Sequence, residues 1–497
     1  MTAAPQPVLA YGFAKKHGIV VLSLGERAVV GLREGADPAS LAEARRALGR
    51  PLSVETLARQ AFERRLSEVY AGDGLASASG AEALELSGQL DDLVDHMPAV
   101  ADLLETEDDA PIIRLINGLI AEAVRIGASD IHVEPYETAL TIRLRVDGVL
   151  REVLSLPVRL ASLIVSRIKV MARLDIAEKR IPQDGRISLN LGGKTFDVRV
   201  STLPSRTGER VVMRILDKEQ ASLQLDELGM TQGVLAAFEA ALRQPNGIIL
   251  VTGPTGSGKT TTLYAGLAVL NDSTRNILTI EDPVEYAVAG VGQTQVNPKV
   301  GMTFAAGLRA ILRQDPDVVM VGEIRDAETA QIAVQASLTG HLVLSTVHTN
   351  DAVGAVTRLR DMGVEPFLLA STLRLIVAQR LVRKLCLECR KPEIADGVFA
   401  KFAGVDPGTL LYRAAGCARC NDTGYRGRLG IYEAVTVDDR IRRLIGERVS
   451  EDEIARIAFA DAPALGNAAH AAIVQGITTV EEALRITRNE MAAYGAA

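Results

Sequence analysis

The feature that most constrains the fold of this chain is a glycine-rich segment near its middle. Residues 253–260 read Gly-Pro-Thr-Gly-Ser-Gly-Lys-Thr and fit the P-loop pattern G-x-x-x-x-G-K-[ST]. An apolar run at residues 248–251 predicts a buried strand before the segment, and leucines at helical spacing predict a helix after it. A chance glycine-rich turn would lack this order of strand, loop and helix. The sequence therefore predicts an α/β fold with a phosphate-binding loop.

Each residue type in this loop has a chemical role. Glycines let backbone N–H groups approach phosphate oxygens, and the following helix adds the positive end of its dipole. Lys259 would bridge the β- and γ-phosphates, and the hydroxyl of Thr260 would hold Mg²⁺. The predicted nucleotide-binding residues are Gly253, Pro254, Thr255, Gly256, Ser257, Gly258, Lys259, Thr260 and Thr261.

Carboxylates follow the next two predicted strands. Glu281, Asp282 and Glu285 come after an apolar-rich run that starts at residue 276. Glu323 follows the apolar run of residues 318–321 and a glycine, as in a Walker B strand. Ligands of open α/β sheets bind outside the carboxyl ends of the strands, so these carboxylates are placed to orient water or hydrated Mg²⁺. Which of them activates water is left open by the sequence.

A histidine ends one more apolar strand. His348 follows the run of residues 342–347. A histidine in this position is more often structural, but here it ends a further strand of the same predicted sheet. We therefore expect His348 to sense the γ-phosphate.

The length of the chain, 497 residues, exceeds what one core accommodates. Apolar spacing in the N-terminal part predicts helices at residues 41–48 and 54–69. The predicted parts are a small docking or packing domain at residues 1–75, an acidic linker at 76–110, an α+β domain at 111–218 and an α/β domain at 223–497.

Arginines accumulate near the turns and strands of the α+β domain. Arg186, Arg199 and Arg210 are the candidates for a contact with bound nucleotide, because a guanidinium from another domain stabilises charge on a γ-phosphate. The alternative is that they cover a solvated strand face, and this alternative holds for most arginines of the domain.

The four cysteines form two C-x-x-C pairs, Cys386 with Cys389 and Cys417 with Cys420, separated by 27 residues. Tetrahedral Zn²⁺ takes four soft ligands, which two such pairs deliver. The sequence therefore predicts a structural zinc subdomain at about residues 386–420; reduced structural thiols are the alternative. Their clustering argues against a disulfide framework.

Charge and hydropathy narrow the class of protein further. The net charge of −7 argues against nucleic acid as the main partner, because phosphate contacts need clustered lysine and arginine. No apolar run reaches the roughly 20 residues that span a bilayer, and the N-terminus shows no signal-peptide pattern. We expect a cytoplasmic protein whose membrane association depends on partners.

Taken together, the four segments resemble the Walker A, Asp box, Walker B and His box of the secretion ATPases. The segment Leu308-Arg309-Ala310-Ile311-Leu312-Arg313-Gln314-Asp315-Pro316-Asp317 is similar to the branch that serves type II secretion and type IV pilus assembly. The resemblance covers about residues 111–497, and the N-terminal segment Phe13-Ala14-Lys15-Lys16-His17-Gly18 looks more like the type II secretion family.

The resemblance implies an ATPase with a RecA-like core, a preceding PAS-like domain and a tetracysteine zinc element. It further implies a homohexamer that binds ATP between those two domains, with arginines of the preceding domain at the nucleotide. The implied role is to couple ATP hydrolysis to pseudopilus assembly and protein export. The implied partners are inner-membrane components, an L-type one through the N-terminal domain and an F-type one.

Three alternatives remain open at this point. A type IV pilus ATPase shares the same boxes. A DNA-translocating motor should carry basic loops with aromatic residues, and aromatic residues make up only 4% of this chain. A nucleotide-dependent scaffold would bind ATP without turnover.

Overall fold

The computed structural model describes residues 9, 11–70, 110–191, 194–217, 224–397, 400, 403–460 and 463–487. The chain divides into two compact units, Met1–Lys218 and Glu219–Ala497. Nearly all of the predicted acidic linker, residues 76–109, lies outside the described residues. Among the described residues, no helix combines the length and apolar composition needed to cross a membrane.

The first unit begins with a small three-stranded sheet and its helices. The elements are α1 (Tyr11–His17), β1 (Ile19–Leu24), β2 (Ala28–Arg33), α2 (Ser40–Leu48), β3 (Leu52–Leu57) and α3 (Arg59–Tyr70). β2 lies in the centre, antiparallel to β1 and parallel to β3. The predicted helix at residues 54–69 is wrong over 54–57. Val54 and Thr56 are β-branched and pair with Val30 and Leu32 of β2, so they extend a strand instead.

The rest of the first unit is the predicted α+β arrangement. Its elements are α4 (Ala110–Arg125), β4 (Ala128–Pro135), β5 (Ala139–Val146), β6 (Val149–Pro157), a 3₁₀ turn (Val158–Leu160), α5 (Ala161–Met171), β7 (Gln183–Leu191), β8 (Lys194–Ser205) and β9 (Gly208–Asp217). The six strands form an antiparallel sheet in the order β6-β5-β4-β9-β8-β7. Apolar side chains of α4 and α5 share one core with alternate residues of the strands. The intervening strand residues face away from the helices.

Apolar side chains also join the two parts of this unit. Phe62 and Leu66 of α3 belong to the same buried cluster as Val170 of α5 and Ile176. The predicted N-terminal domain therefore packs on the α+β domain, and a boundary near residue 75 stays a prediction.

The second unit is built on a seven-stranded sheet in the order β12 (Gly292–Gln295), β11 (Ile277–Glu281), β13 (Val318–Val321), β14 (Leu342–Val347), β10 (Gly247–Thr252), β15 (Leu373–Leu385) and β18 (Tyr425–Thr436). After a 3₁₀ turn (Leu225–Leu228), its first elements are α6 (Gln232–Leu242), β10 (Gly247–Thr252), α7 (Lys259–Leu270), β11 (Ile277–Glu281), β12 (Gly292–Gln295), a 3₁₀ turn (Pro298–Val300), α8 (Phe304–Ile311), β13 (Val318–Val321), α9 (Ala327–Leu338) and β14 (Leu342–Val347). All strand pairs are parallel except β15 with β18. Separate buried clusters cover the two faces, as expected where crossover helices lie on both sides of a parallel sheet.

The sheet continues through a small insertion. The remaining elements are α10 (Gly354–Asp361), α11 (Pro366–Thr372), β15 (Leu373–Leu385), β16 (Lys391–Ile394), β17 (Leu410–Arg413), a 3₁₀ turn (Ala418–Cys420), β18 (Tyr425–Thr436), α12 (Asp439–Gly446), α13 (Glu451–Ala458), α14 (Leu465–Val474) and α15 (Val480–Thr487). β15 and β18 are neighbours in the main sheet, so the chain between them, with the β16-β17 pair, projects from its end. α14 and α15 share a core cluster with this insertion.

Candidate nucleotide site and zinc site

The P-loop connects the buried end of β10 to the first residue of α7. Gly253 and Gly258 have φ angles of 143° and 87°, which other residues rarely adopt. A Cβ atom on Gly253 would also lie 2.4 Å from the carbonyl oxygen of Gln379 on β15. The backbone itself therefore requires glycine here, because the loop passes tightly beside the next strand.

Two buried polar side chains of the loop fit a phosphate group. Nζ of Lys259 donates to the carbonyl oxygens of Gly253 and Pro254 at 2.8 and 3.1 Å. Oγ of Ser257 is buried and finds no hydrogen-bond partner among the described residues. Burial lowers the pKa of Lys259, while the carboxylate of Glu323 acts in the opposite direction. A cation and an unpartnered hydroxyl at a helix N-terminus are the groups that an anionic ligand satisfies.

The ends of β11, β13 and β14 bring three predicted residues to the same edge of the sheet. Oε2 of Glu323 lies 3.1 Å from Nε2 of His348. Arg325 forms an ion pair with Glu323, and its Nη1 lies 3.9 Å from Oδ2 of Asp282. Arg325 was not among the predicted site residues, although it follows Glu323 by only two positions. The guanidinium of Arg325 thus joins the Asp box to the Walker B strand, and the carboxylate of Glu323 joins that strand to the His box.

The four cysteine sulfurs lie within 4.8 Å of one another. Sγ of Cys417 is 3.9 Å from that of Cys386 and 3.7 Å from that of Cys420, and the sulfurs of Cys389 and Cys420 are 3.8 Å apart. These spacings are too long for disulfides, and they match the edge of about 3.8 Å of a tetrahedron with Zn–S bonds of about 2.3 Å.

Backbone N–H groups also point at the sulfurs. Gly416 donates to Cys389 at 3.3 Å, and Gly424 donates to Cys420 at 3.2 Å. Such hydrogen bonds stabilise thiolates, so the residues present fit a closed structural zinc site.

Sequence comparisons agree with this geometry over nearly the whole length of the chain. The model of the family "Type II/IV secretion system protein" matches residues 105–485, and a model of the N-terminal domain of "GSPII protein E" matches residues 8–70. The type II secretion system protein E of Pseudomonas aeruginosa is 57% identical over 490 residues, 98% of each chain. The type II secretion system ATPase E of Vibrio cholerae is 56% identical over 455 residues, 90% of each chain. This chain belongs to the type II secretion ATPases.

Two solved structures share the fold of this chain. The Legionella pneumophila ATPase DotB aligns with a TM-score of 0.56 at 21% identity, over 75% of this chain and 95% of its own. The pilus retraction motor PilT, solved with bound ADP, aligns with a TM-score of 0.52 at 26% identity, over 75% and 97%. The predicted α/β ATPase fold and the predicted ATPase role in type II secretion are confirmed.

Within this secretion ATPase, Glu281 has a different environment from the one expected. Its carboxylate is buried and accepts hydrogen bonds from the hydroxyls of Tyr264 and Thr279 and from Nε2 of Gln293. Burial, reinforced by this carboxylate, raises the pKa of Tyr264. The carboxylate thus ties β11 to α7 and β12, and a role of Glu281 in orienting water or Mg²⁺ stays a prediction. Tyr264 and Gln293 lack any motif signal and were missed.

Asp282 and Glu285 remain the carboxylates of the Asp box that lie outside the core. Asp282 is exposed and Glu285 is half-buried. Thr260 is exposed and Thr261 half-buried in the first turn of α7, where a metal ligand beside a bound phosphate is expected.

The candidate arginines of the first unit lie in two different environments. Arg186, Arg199 and Arg214 are direct cross-strand neighbours on β7, β8 and β9. Val198 and Val200 lie in the helix-covered core, so Arg199 between them faces the opposite side of the sheet. The structure thus brings Arg186 and Arg199 together, with Arg214 as a third member that the candidate set lacked.

Arg210 lies in the other environment. It forms an ion pair with the buried carboxylate of Glu134, which also accepts from Nε of Arg143 at 2.7 Å. Since an isolated buried carboxylate is costly, Arg210 has a structural task where it stands.

Proposed function

We propose that this chain binds ATP with Mg²⁺ at the P-loop and hydrolyses it to ADP and phosphate. The observation that carries the proposal is the meeting of Glu323 and His348 at the sheet edge that also holds the P-loop. The buried Lys259 and the unpartnered hydroxyl of Ser257 support phosphate as the ligand. The bound ADP of the related pilus motor supports an adenine nucleotide.

The residues of the loop would act by replacing their present contacts. Lys259 would exchange the carbonyl oxygens of Gly253 and Pro254 for phosphate oxygens, and Ser257 would donate its hydroxyl hydrogen to the ligand. Loop N–H groups and the start of α7 would add positive potential at the same place. The loop N–H groups and the start of α7 are held in place by the fold before the ligand binds, which lowers the reorganisation that catalysis requires.

Glu323 and His348 would perform the proton and sensing steps. Glu323 would orient the attacking water and accept its proton once Arg325 no longer holds its carboxylate. While the γ-phosphate is present, His348 would donate a hydrogen bond to it. Once the phosphate is gone, that hydrogen bond would be lost. Bound Mg²⁺ would supply charge neutralisation at the phosphates, with Thr260, Asp282 and Glu285 as the residues placed to hold it directly or through water.

The working assembly that we propose is a homohexamer with ATP between the RecA-like and PAS-like domains. Arg186 and Arg199 are the better-supported contacts for the nucleotide, because they are neighbours on one face of the sheet; Arg210 stays a weaker candidate.

The tetracysteine site would hold Zn²⁺ as a structural ion. Residues 1–75 would dock on an L-type inner-membrane component, with an F-type component as a further partner, and nucleic acid is not expected.

The proposed place of action is the cytoplasmic face of the inner membrane, where turnover drives pseudopilus assembly and protein export. Steady-state phosphate release by the purified chain, with and without Mg²⁺, separates a motor from a scaffold: a scaffold binds ATP but releases no phosphate above background.

Complementation then distinguishes type II secretion from type IV pilus assembly. Restored export in a host that lacks its own type II ATPase supports the proposal, whereas restored pilus assembly without export supports the pilus alternative.

A further inference from the structure

We infer that Glu433 is a positioning residue that fixes the loop after His348 and connects it to the C-terminal helices. The inference rests on the proposed hydrolysis at this site. Glu433 lies on β18, directly opposite Ala378 of β15, and it is 2% exposed. No sequence motif contains Glu433, and it was not among the predicted site residues.

The two oxygens of this carboxylate bind two distant parts of the chain. Oε1 accepts from the backbone N–H of Ala352 at 2.7 Å, and Oε2 accepts from that of Leu465 at 2.8 Å. Ala352 lies four residues after His348, and Leu465 is the first residue of α14. One side chain thus holds both the loop that follows the His box and the start of a C-terminal helix.

The loop of residues 348–353 is anchored at two further points. The backbone N–H of Thr349 donates to Oγ1 of Thr252, the last residue of the P-loop strand, at 2.9 Å. Nη2 of Arg380 donates to the carbonyl oxygen of Asn350 at 3.0 Å. These contacts fix the path of the loop directly after His348, and Glu433 supplies the contact at its far end.

The electrostatics make the Glu433 contact dependent on both donors. Burial raises the pKa of Glu433 and the charge of Asp351 adds to this, while the two N–H donors and the charge of Arg380 act against it. If either segment moves away, a buried carboxylate oxygen is left without a partner, which is unfavourable. The position of the His348 loop and that of α14 are therefore coupled through a single charged group.

The helix that Glu433 holds also supports the zinc element. α14 leads into residues 475–479, where the carbonyl oxygen of Gly476 accepts from Nη1 of Arg390 at 2.7 Å. The carbonyl oxygen of Ile477 accepts from the N–H of Leu385, which directly precedes Cys386, at 2.7 Å. Glu433 therefore lies on a continuous set of contacts from the His box to the cysteine site.

The test compares Glu433→Gln with Glu482→Gln in the full chain. Glu482 is a matched control, because it is equally buried but binds Arg383 and Arg485 instead of residues 348–353. For Glu433→Gln we expect kcat to fall about tenfold to a hundredfold with KM for ATP within about twofold, because His348 is misplaced after binding. Glu482→Gln should lower the melting temperature while keeping kcat.

Hydrogen exchange gives a second readout that does not depend on turnover. The amides of Ala352 and Leu465 should exchange faster in Glu433→Gln and keep their protection in Glu482→Gln. Wild-type kcat together with wild-type exchange in Glu433→Gln would overturn the inference, as would equal kcat losses in both variants. If the wild-type chain itself releases no phosphate, the proposed function fails, and the exchange pattern alone decides whether Glu433 couples the two segments.

Discussion

The proposed nucleotide site and the proposed zinc site of the second unit are stabilised in opposite ways. The nucleotide site lies at the ends of β10, β13 and β14. These strands are buried along their whole length, between two large apolar clusters. The cysteines lie in an insertion that has few large buried side chains and exposes Leu387, Ile394 and Leu410. The first site inherits its geometry from the sheet, whereas the second has too little apolar surface to order itself.

This difference separates chemistry from folding. A single substitution at the nucleotide site should remove a chemical group and leave the surrounding structure in place. A single substitution at the zinc site should remove local structure and leave the nucleotide chemistry in place.

The largest effect is expected from loss of the metal. Structural Zn²⁺ contributes on the order of 10 kcal/mol in small units. Elemental analysis should find one zinc ion per wild-type chain and none in Cys386→Ser. Hydrogen exchange across residues 386–420 should be faster in the variant. Affinity for ATP should stay within about twofold, since the P-loop lies in another core.

The exposed Glu388 of the same C-x-x-C pair gives a control, because Glu388→Gln alters charge but no ligand. Freshly purified, reduced wild-type protein without zinc would rule out the metal site. Loss of all ATP affinity in Cys386→Ser would show that the insertion and the nucleotide core fold as one.

Lys259→Ala should abolish turnover, a loss of at least about a thousandfold, because the loop loses its charge for the β- and γ-phosphates. The side chain also donates to two carbonyl oxygens of the loop, so a small decrease in melting temperature is expected as well. Phosphate release and thermal unfolding measure the two effects separately. Turnover near the wild-type rate would contradict the assignment of the P-loop.

Glu323→Gln should bind ATP and lower kcat about a hundredfold to a thousandfold, because the amide keeps the shape and cannot accept a proton from water. Glu281→Gln is the informative companion. Its buried carboxylate accepts three hydrogen bonds, so this variant should lose about 1 to 3 kcal/mol of unfolding free energy. Full activity of Glu323→Gln would transfer the water-orienting role to Glu281, Asp282 or Glu285.

The contrast between Glu281 and Glu323 shows how far the sequence could predict the site. Both carboxylates follow buried strands, and motif spacing brought both to the correct edge of the sheet. What separates them is Tyr264, which reaches Glu281 from α7, and Arg325, which reaches Glu323 from the following loop. Such contacts depend on side-chain direction between elements, which local patterns do not encode.

The fold shows the same limit. The strands β10, β11, β13 and β14 have strong local patterns and were predicted within one or two residues, whereas the buried strand β15 was not predicted. The residues of β3 were assigned to a helix from the local sequence around Val54. Their parallel pairing with β2 is a contact with a distant segment, and the local sequence does not show it. Glu433 was missed for the same reason, since its two partners lie 81 and 32 residues away.

The smallest effect concerns a contact that supports the zinc insertion without metal. Glu482 of α15 is buried, which disfavours its charge, but hydrogen bonds from Arg485 and Arg383 outweigh this and lower its pKa to about 2. The folded-state pKa lies below the unfolded value of about 4.5, so the stabilisation is complete above pH 4.5 and is lost as the pH falls towards 2. Between pH 7 and pH 4 the loss should be about 1 kcal/mol.

Glu482→Gln should remove this pH-dependent contribution, so its unfolding free energy should change less than that of the wild type between pH 7 and pH 4. Urea unfolding measures this difference in free energy, and hydrogen exchange of residues 478–487 shows whether it arises at α15. Zinc content at pH 7 should stay at one ion per chain, because the contacts of Glu482 with β15 come before the first cysteine. Loss of zinc in this variant would mean that the thiols alone do not order the insertion, and that its support by α15 is the larger contribution.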